Sequence, residues 1–533
     1  MIKKKKYLTF SNSSHSRNSI KLSLPESSKY SNYSEECRLV LDNYFKKNYK
    51  SFGDLHVENY LRKTVDIKIL NHYALHQRLK NEHPDTENFS TRDNLIDRII
   101  DENLPAKRSL LKYLLGGFIF LLAYVTRSII SSLSSREDLD PPDILYIRKK
   151  DYPDLGIGEI LSSNIRKASF GTCLVGFSMK KSKYKFNRIV DYKNPKLRLF
   201  KAFLKVLSEL RHLSMICSNN DIPFNIFFRL IADSFLMVSI IKINSKALIG
   251  VLLDKPYYIL LEKYKKQHQT INIMNESFFY PPFRTFDYSH ADVYYSMNNI
   301  DEDMQNHFGG HISKFKRVSF FRKNLIVNSK GLSDECSLKI KEHSKTILAT
   351  TVQISEETFI QFGVEELNLF LKAIYKSALD FPENLIILKG KKNELSMANQ
   401  EMIDKILNQR NIFLIDSIKP RLLEYDHFED LISVSDLMVS MNHASTTIWQ
   451  SYAHMKPVIV INDSHPASFL SEYENVEIVS NQLSRTIKYW LEMDRSTCSD
   501  FIKNISNDVN LGDGKGLEFI ANDLEDQIDF STL

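Results

Sequence analysis

The sequence predicts an α/β protein built from two open parallel sheets, each covered by helices on both faces. Three observations lead there. Past Pro141-Pro142, short apolar runs alternate with longer amphipathic ones. After a polar break near Ser329–Glu342 the same alternation starts again. At 533 residues the chain also exceeds what one hydrophobic core serves. Strands that alternate with helical crossovers form parallel sheets, whose ligands sit beyond the carboxyl ends of the strands.

Composition narrows the class. Hydrophobic content of 43% and charged content of 26% suit a globular protein. The net charge of +6 comes without a Lys/Arg stripe interleaved with aromatics, so no nucleic-acid partner is expected. Cys37, Cys173, Cys217, Cys336 and Cys498 lie far apart with no CxxC spacing. That pattern predicts reduced thiols in a cytosolic compartment and no structural zinc.

Taken in order, residues 1–35 are rich in Ser, Lys, Asn and Tyr and read as a mobile tail. The basic start MIKKKKYLTF is not followed by an apolar h-region, so a secretory signal is not expected. Residues 36–140 read as a helical extension. Its most apolar part, 109–134, has uncharged residues only from Tyr113 to Thr126, short of the roughly 20 that cross a bilayer. On a helix, Leu111, Leu114, Leu115, Phe118, Leu122, Val125, Ile129 and Leu133 share one side. Lys112, Gly116, Arg127, Ser131 and Ser134 fall largely on the other. This favours a helix lying in the membrane interface, with Lys107, Arg108 and Lys112 free to meet anionic headgroups. A buried helix docked on the next domain and a true span are the alternatives.

The first domain is expected over 141–335. DILYI, GTCLVGF, ALIGVLL, TINIM and DVYYSM read as strands, with GEILSSNIRKA, KLRLFKAFLKVLSELRHLSMI and PYYILLEKYKKQ as helices. Phe224–Ile241 is apolar but carries Arg229 and Asp233 one turn apart, which predicts a core helix with an internal ion pair. The second domain is expected over 336–500, with strands TILATTVQI, NLIILKG, NIFLID, DLMVSM, PVIVIN and VEIVS. Its crossovers are VEELNLFLKAIYKSAL, NQEMIDKIL, STTIWQSYAHM and QLSRTIKYWLEM. Residues 501–533 read as a C-terminal tail.

One unit of the second domain carries chemistry. The run DLMVSM stops at Asn442-His443, and Ser445-Thr446-Thr447 then opens a helix. First-turn amides are unpaired and carry the positive end of the helix dipole. Three hydroxyls at such a start suit a phosphate, although plain capping also explains them. The order DLMVS, STT, KPVIVI resembles the donor domain of GT-B glycosyltransferases, especially the bacterial enzymes that build capsular and surface polysaccharides. The strand–helix–strand order of the first domain is similar to theirs as well. The resemblance covers about 143–490 and its motifs are loose.

The resemblance implies two Rossmann-like domains facing across a cleft. Ser445, Thr446 and Thr447, with Lys389 and Lys391 after the second strand, would bind the donor phosphate. Gln450, Asn442 and His443 would lie at the nucleotide and ribose. Several positions depart from the family. Gln450 stands nearest the ribose-gripping Glu, Met455 replaces the Gly before Lys456-Pro457, and Met274-Asn275-Glu276-Ser277 replaces a Gln-His-Gly turn.

Glycosyl transfer needs a base for the acceptor hydroxyl and positive groups for the departing phosphate. Glu276, after TINIM, is the favoured base, and Asp254, ending ALIGVLLD, is the second candidate. The segment Asp154–Glu159 reads as an acceptor loop in which Gly156 and Gly158 allow close approach beside Glu159. Ser355-Glu356-Glu357 contacts the donor or simply begins a helix. Asp301-Glu302-Asp303 reads as a solvated helix start, and His307–His311, with two glycines inside, as a loop. No metal and no cofactor is expected, the sugar nucleotide being a substrate. The expected partners are that donor, a glycan or lipid-linked acceptor and the inner face of the cell membrane. A sugar-nucleotide 2-epimerase of the same architecture and a non-catalytic component of polysaccharide assembly are the competing readings.

Overall fold

The computed structural model describes residues 53–64, 109–132, 140–149, 157–175, 177–178, 185–186, 195–220, 222, 224–251, 257–274, 289–297, 302, 305–306, 310–320, 330–352, 364–391, 394–415, 425–441, 446–463, 469–508, 511–512 and 514–530. Helix α1 spans 55–64 and α2 spans Leu110–Ser132. The first domain follows with β1 (Ile144–Lys149), α3 (Ile157–Asn164), β2 (Phe170–Val175) and a small ribbon of β3 (Phe177–Ser178) and β4 (Lys185–Phe186). The long helices α4 (Pro195–Asn219) and α5 (Phe224–Ile241) come next, then β5 (Ala247–Val251), α6 (Tyr257–Tyr264), β6 (Thr270–Met274), β7 (His290–Ser296) and β8 (His311–Arg317).

The second domain begins with α7 (Asp334–Lys341), β9 (Thr346–Thr350), α8 (Val364–Asp380), β10 (Leu385–Lys389), α9 (Gln400–Asn408) and β11 (Ile412–Ile415). It continues through α10 (Phe428–Val434), β12 (Leu437–Ser440), α11 (Thr446–Ala453), β13 (Val458–Ile461) and β14 (Glu477–Ile478). Helices α12 (Leu483–Glu492), α13 (Arg495–Asp508) and α14 (Gly516–Phe530) complete the chain.

Each domain holds one six-stranded parallel sheet, ordered β2-β1-β5-β6-β7-β8 and β11-β10-β9-β12-β13-β14. Two Rossmann-like domains facing across a cleft, the GT-B arrangement, is therefore the fold. The central strands are buried on both faces, which is why β5, β9 and β12 read as unbroken apolar runs. Strand order reverses between β1 and β5 in one sheet and between β9 and β12 in the other. These reversals open the crevices where ligands of such sheets bind.

Three expectations change. His311 opens an edge strand, not a loop: β8 is mostly exposed and rich in Lys, so it carries no apolar signal. Gly158 and Glu159 lie in the first turn of α3, where the acidic side chain meets the positive helix end and Gly158 is buried. They are helical, so the expected acceptor loop does not extend through them. The expected tail from 501 onward instead contains α13 and α14.

Helix α14 returns to the first domain and fastens there. Leu517, Ile520, Ala521, Leu524 and Ile528 are buried in the same core as β1, β5 and α3. The Glu525 carboxylate accepts the backbone N–H groups of Arg166 and Lys167. Asp523 pairs with Lys316 and accepts the Tyr295 hydroxyl at 2.7 Å. Burial raises the Asp523 pKa, but the bonds from Lys316, Tyr295 and Gln527 outweigh it and hold the carboxyl below its ordinary value.

The described parts of the N-terminal extension belong to the first domain's core. Val57, Tyr60 and Leu61 of α1 and Tyr113, Leu121, Tyr124 and Val125 of α2 pack with α4, α5 and the sheet. The Tyr60 hydroxyl donates to Asp233 at 2.6 Å, and Arg229 lies 3.6 Å from the same carboxylate. The ion pair expected inside Phe224–Ile241 is thus present. That helix is long and apolar enough to cross a membrane, yet 14 of its 18 residues are buried.

Helix α2 presents two apolar faces where one was expected. Gly117 lets it approach α4 and α5, since a Cβ there would lie 2.8 Å from Leu210 Cδ1 and 2.9 Å from Phe227 Cζ. Leu111, Leu115, Phe118, Ile119 and Leu122 remain exposed, whereas Val125 is buried.

Candidate functional site

The second sheet's switch point gathers polar groups from four elements. Strand β9 ends at Thr350, β10 at Lys389 and β12 at Ser440, and α11 starts at Thr446. Among the described residues, the buried Thr350 hydroxyl has no hydrogen-bond partner. An unpaired buried hydroxyl is costly, so its place at the crevice between β9 and β12 suits a bound polar ligand.

Lys389 faces the acidic start of α10. Burial lowers its pKa, and Asp426, Glu429 and Cys336 only partly offset that. The ammonium therefore gains from a further anion nearby. Asp426 adopts a left-handed φ of 56° while its carboxylate accepts the Ser333 N–H at 2.8 Å. Burial, then Asp426, pushes the Cys336 thiol up to about 12, so it stays protonated and is no nucleophile.

Gln450 sits one turn into α11, buried, and donates from Nε2 to Glu429 Oε1 at 3.1 Å. Helix α11 and the start of α10 are thereby joined, with Lys389 interacting with Glu429 from the other side. Beyond β10, the buried Glu394 carboxylate accepts the Thr351 hydroxyl and the Lys391 backbone N–H. That contact pins the backbone of the loop on which Lys391 is exposed. The turn after α11 keeps its shape without glycine. Met455 adopts φ 56°, with its N–H on Tyr452 O at 2.9 Å and the Lys456 N–H on Ser451 O at 2.9 Å.

Of the expected site residues, Thr446, Thr447, Lys389 and Gln450 come together at this end of the sheet. Ser445, Asn442, His443, Glu276, Asp254, Gly156, His307 and Ser355-Glu356-Glu357 lie outside the described residues. Strands β5 and β6 end at Val251 and Met274, just before Asp254 and Glu276. Sequence reasoning missed Glu429, Asp426 and Thr350. The signal available was the acidic run Asp426-His-Phe-Glu-Asp430 ahead of the DLMVS strand.

Among the described residues, one group of side chains has metal-ligand spacing, and it lies away from this crevice. His56, Glu262 and His290 bring their ligand atoms within 4.8 Å of one another. Burial, then the rings of His311 and His56, pushes the His290 imidazole down to about 3.

No family model matches the sequence, and no curated protein matches it. Among solved structures the chain is similar to a co-structure of S. aureus MnaA with UDP, at 14% identity over 73% of this chain and 98% of that one, TM-score 0.46. It is similar to the UDP-GlcNAc 2-epimerase from Neisseria meningitidis bound to UDP-GlcNAc, at 12% identity over 72% and 99%, TM-score 0.45. A UDP-glucosyltransferase from Polygonum tinctorium is a third, at 11% identity over 74% and 99%, TM-score 0.40.

Proposed function

We propose that the protein is a glycosyltransferase that moves a sugar from a nucleotide donor to a glycan or lipid-linked acceptor. The observation that carries this reading is the start of α11 at the β9/β12 switch point, with the Thr350 hydroxyl and Lys389 at the neighbouring strand ends. The positive amino end of α11, with Thr446 and Thr447, and the Lys389 ammonium form an anion cradle suited to a diphosphate. Ser445 and Lys391 extend it. Glu429, oriented by Gln450, supplies the carboxylate for the nucleotide ribose, with Asn442 and His443 beside it.

During transfer the phosphate departs as an anion, and the cradle stabilises the charge that develops on it. Glu276 takes the proton of the acceptor hydroxyl, with Asp254 the alternative base. The protein works at the inner face of the cell membrane. Leu111, Leu115, Phe118, Ile119 and Leu122 of α2, with Leu197, Phe200 and Leu204 of α4, form an exposed apolar face suited to a membrane interface. Replacing Phe118 and Leu122 with Asp should release the protein from anionic vesicles in a flotation assay while its melting temperature holds. Vesicle binding equal to the parent's would refute the membrane role.

Incubation of the purified protein with radiolabelled sugar nucleotides and membrane extract tests the activity. Transfer of label to lipid or glycan supports the reading. Conversion of the donor to its 2-epimer would make the protein an epimerase of the same architecture. Silence with every donor would leave a non-catalytic component of polysaccharide assembly.

A further inference from the structure

We propose that His56, Glu262 and His290 form a binding site for a divalent transition-metal ion such as Zn²⁺, with His311 completing the set. The site lies at the amino ends of β7 and β8, whose first residues are His290 and His311, so it is at the opposite end of the sheet from the cleft. Its third imidazole comes from α1, more than two hundred residues away in sequence.

The donor set fits zinc in type and number. Imidazole nitrogens and one carboxylate oxygen are ordinary zinc ligands, and four of them make a tetrahedral site. The three principal ligand atoms lie within 4.8 Å of one another. Bonds of about 2.0–2.2 Å place tetrahedral ligands roughly 3.4 Å apart, so closure needs only small side-chain rotations. Glu262 Oε2 already meets His56 Nε2 and lies 4.0 Å from His290 Nδ1. The other carboxylate oxygen, Oε1, is 3.5 Å from Lys265 Nζ, which leaves Oε2 for the ion. The His311 ring centroid is 4.7 Å from that of His290, and His311 is exposed enough to turn inward.

The surroundings support His290 as a ligand. Its Nε2 lies 3.0 Å from the Asn59 side-chain amide, whose oxygen and nitrogen are interchangeable by a flip. With Oδ1 turned toward the ring, Nε2–H donates to it and Nδ1 carries its lone pair toward Glu262. An outer hydrogen bond of this kind fixes the tautomer of a metal-bound histidine. Asn59 and His56 sit on the same helix, so one ion would hold α1 against α6, β7 and β8. The site is structural, since it joins elements at the end of the sheet away from the cleft.

Chelator-treated, untagged full-length protein titrated with Co²⁺ and then Zn²⁺ tests the site. One equivalent of Co²⁺ should give the intense visible bands of a four-coordinate ion without thiolate charge transfer, and Zn²⁺ should displace it. Loss of a supporting outer contact usually weakens a metal 10- to 100-fold, so His56→Ala and Glu262→Gln should weaken Zn²⁺ at least about a hundredfold. His311→Ala should act less strongly. Zn²⁺ should also slow hydrogen exchange across 55–64 in the parent but not in His56→Ala. His56 is half-buried, so this variant keeps the fold even where His290→Ala does not. Absent stoichiometric uptake in the parent, or uptake unchanged by both substitutions, the group is a plain histidine–glutamate ion pair and the proposal fails.

Discussion

The two domains share a sheet topology but are held together differently. The second is closed within its own stretch of chain: β9 to β14 pack under helices drawn from the same 160 or so residues, and its polar groups converge on one crevice. The first borrows from both ends of the sequence, taking α1 and α2 from the amino end and α14 from the carboxyl end. Its distant pieces are tied by buried charge, Tyr60 to Asp233 on one side and Glu525 and Asp523 on the other. The difference teaches that the first domain's stability depends on chain ends which its own strand–helix pattern does not reveal. The second domain instead places the unpaired Thr350 hydroxyl and the left-handed Asp426 near its switch point.

Ending the chain before Gly516 should break the first domain while sparing the second. Four large apolar side chains of α14 would be lost, Leu517, Ile520, Leu524 and Ile528. At about 1.5–3 kcal/mol each, that is roughly 6–12 kcal/mol, as large as the stability of a typical domain. Hydrogen exchange should show β1, β5 and β6 exposed with β9 and β12 still protected. Equal protection in both sheets would show that α14 is an ornament on a self-sufficient domain.

Tyr60→Phe should cost about 1.5–3 kcal/mol in chemical denaturation, the usual range for a hydrogen bond to a charged group. A loss below about 0.5 kcal/mol would mean that α1 is not clasped by charge.

Asp523 adds a pH signature to the other clasp. Its folded pKa is below the ordinary 3.8, so the stability it contributes is complete above that value and is lost as pH falls through the lower folded one. Melting temperatures of the parent and Asp523→Asn should therefore differ near neutrality, by about 1–2 kcal/mol in stability, and converge under acid conditions. A gap that persists unchanged in strong acid contradicts the ion pair.

The smallest effect belongs to the second domain. Met455 holds a left-handed φ that costs a side chain about 1 kcal/mol or more, while glycine loses about 0.5–1 kcal/mol of chain entropy. Met455→Gly should stabilise by about 0–1 kcal/mol in urea melts. Clear destabilisation would show that the exposed Met455 side chain has packing of its own to lose.

The strand–helix alternation was legible because the central strands are buried on both faces and write continuous apolar runs. Strand β8 was not, since HISKFKR at a sheet edge needs no apolar face. Helix α14 left a trace in Leu517, Ile520, Leu524 and Ile528 at helical spacing, masked by four acidic residues between them. The helix start at Thr446 and Thr447 was readable as a local pattern of hydroxyls after an apolar strand. Glu429 was not, because its link to Gln450 joins residues 21 apart in sequence through the packing of α10 on α11.

Lys389 offers a further handle on the site. Burial lowers its pKa, so an anion that needs the ammonium should bind less well as pH rises through a range below the ordinary 10.5. The most direct measurement is calorimetric titration with UDP, GDP and CMP of the parent and of a variant with Ser445, Thr446 and Thr447 replaced by Ala, alongside thermal melts. The backbone amides of α11 remain, so affinity should fall roughly ten- to a hundredfold, or about 1.4–2.8 kcal/mol. A variant that melts lower yet binds nucleotide like the parent would reduce the hydroxyl cluster to a helix cap and remove the basis for a donor site there.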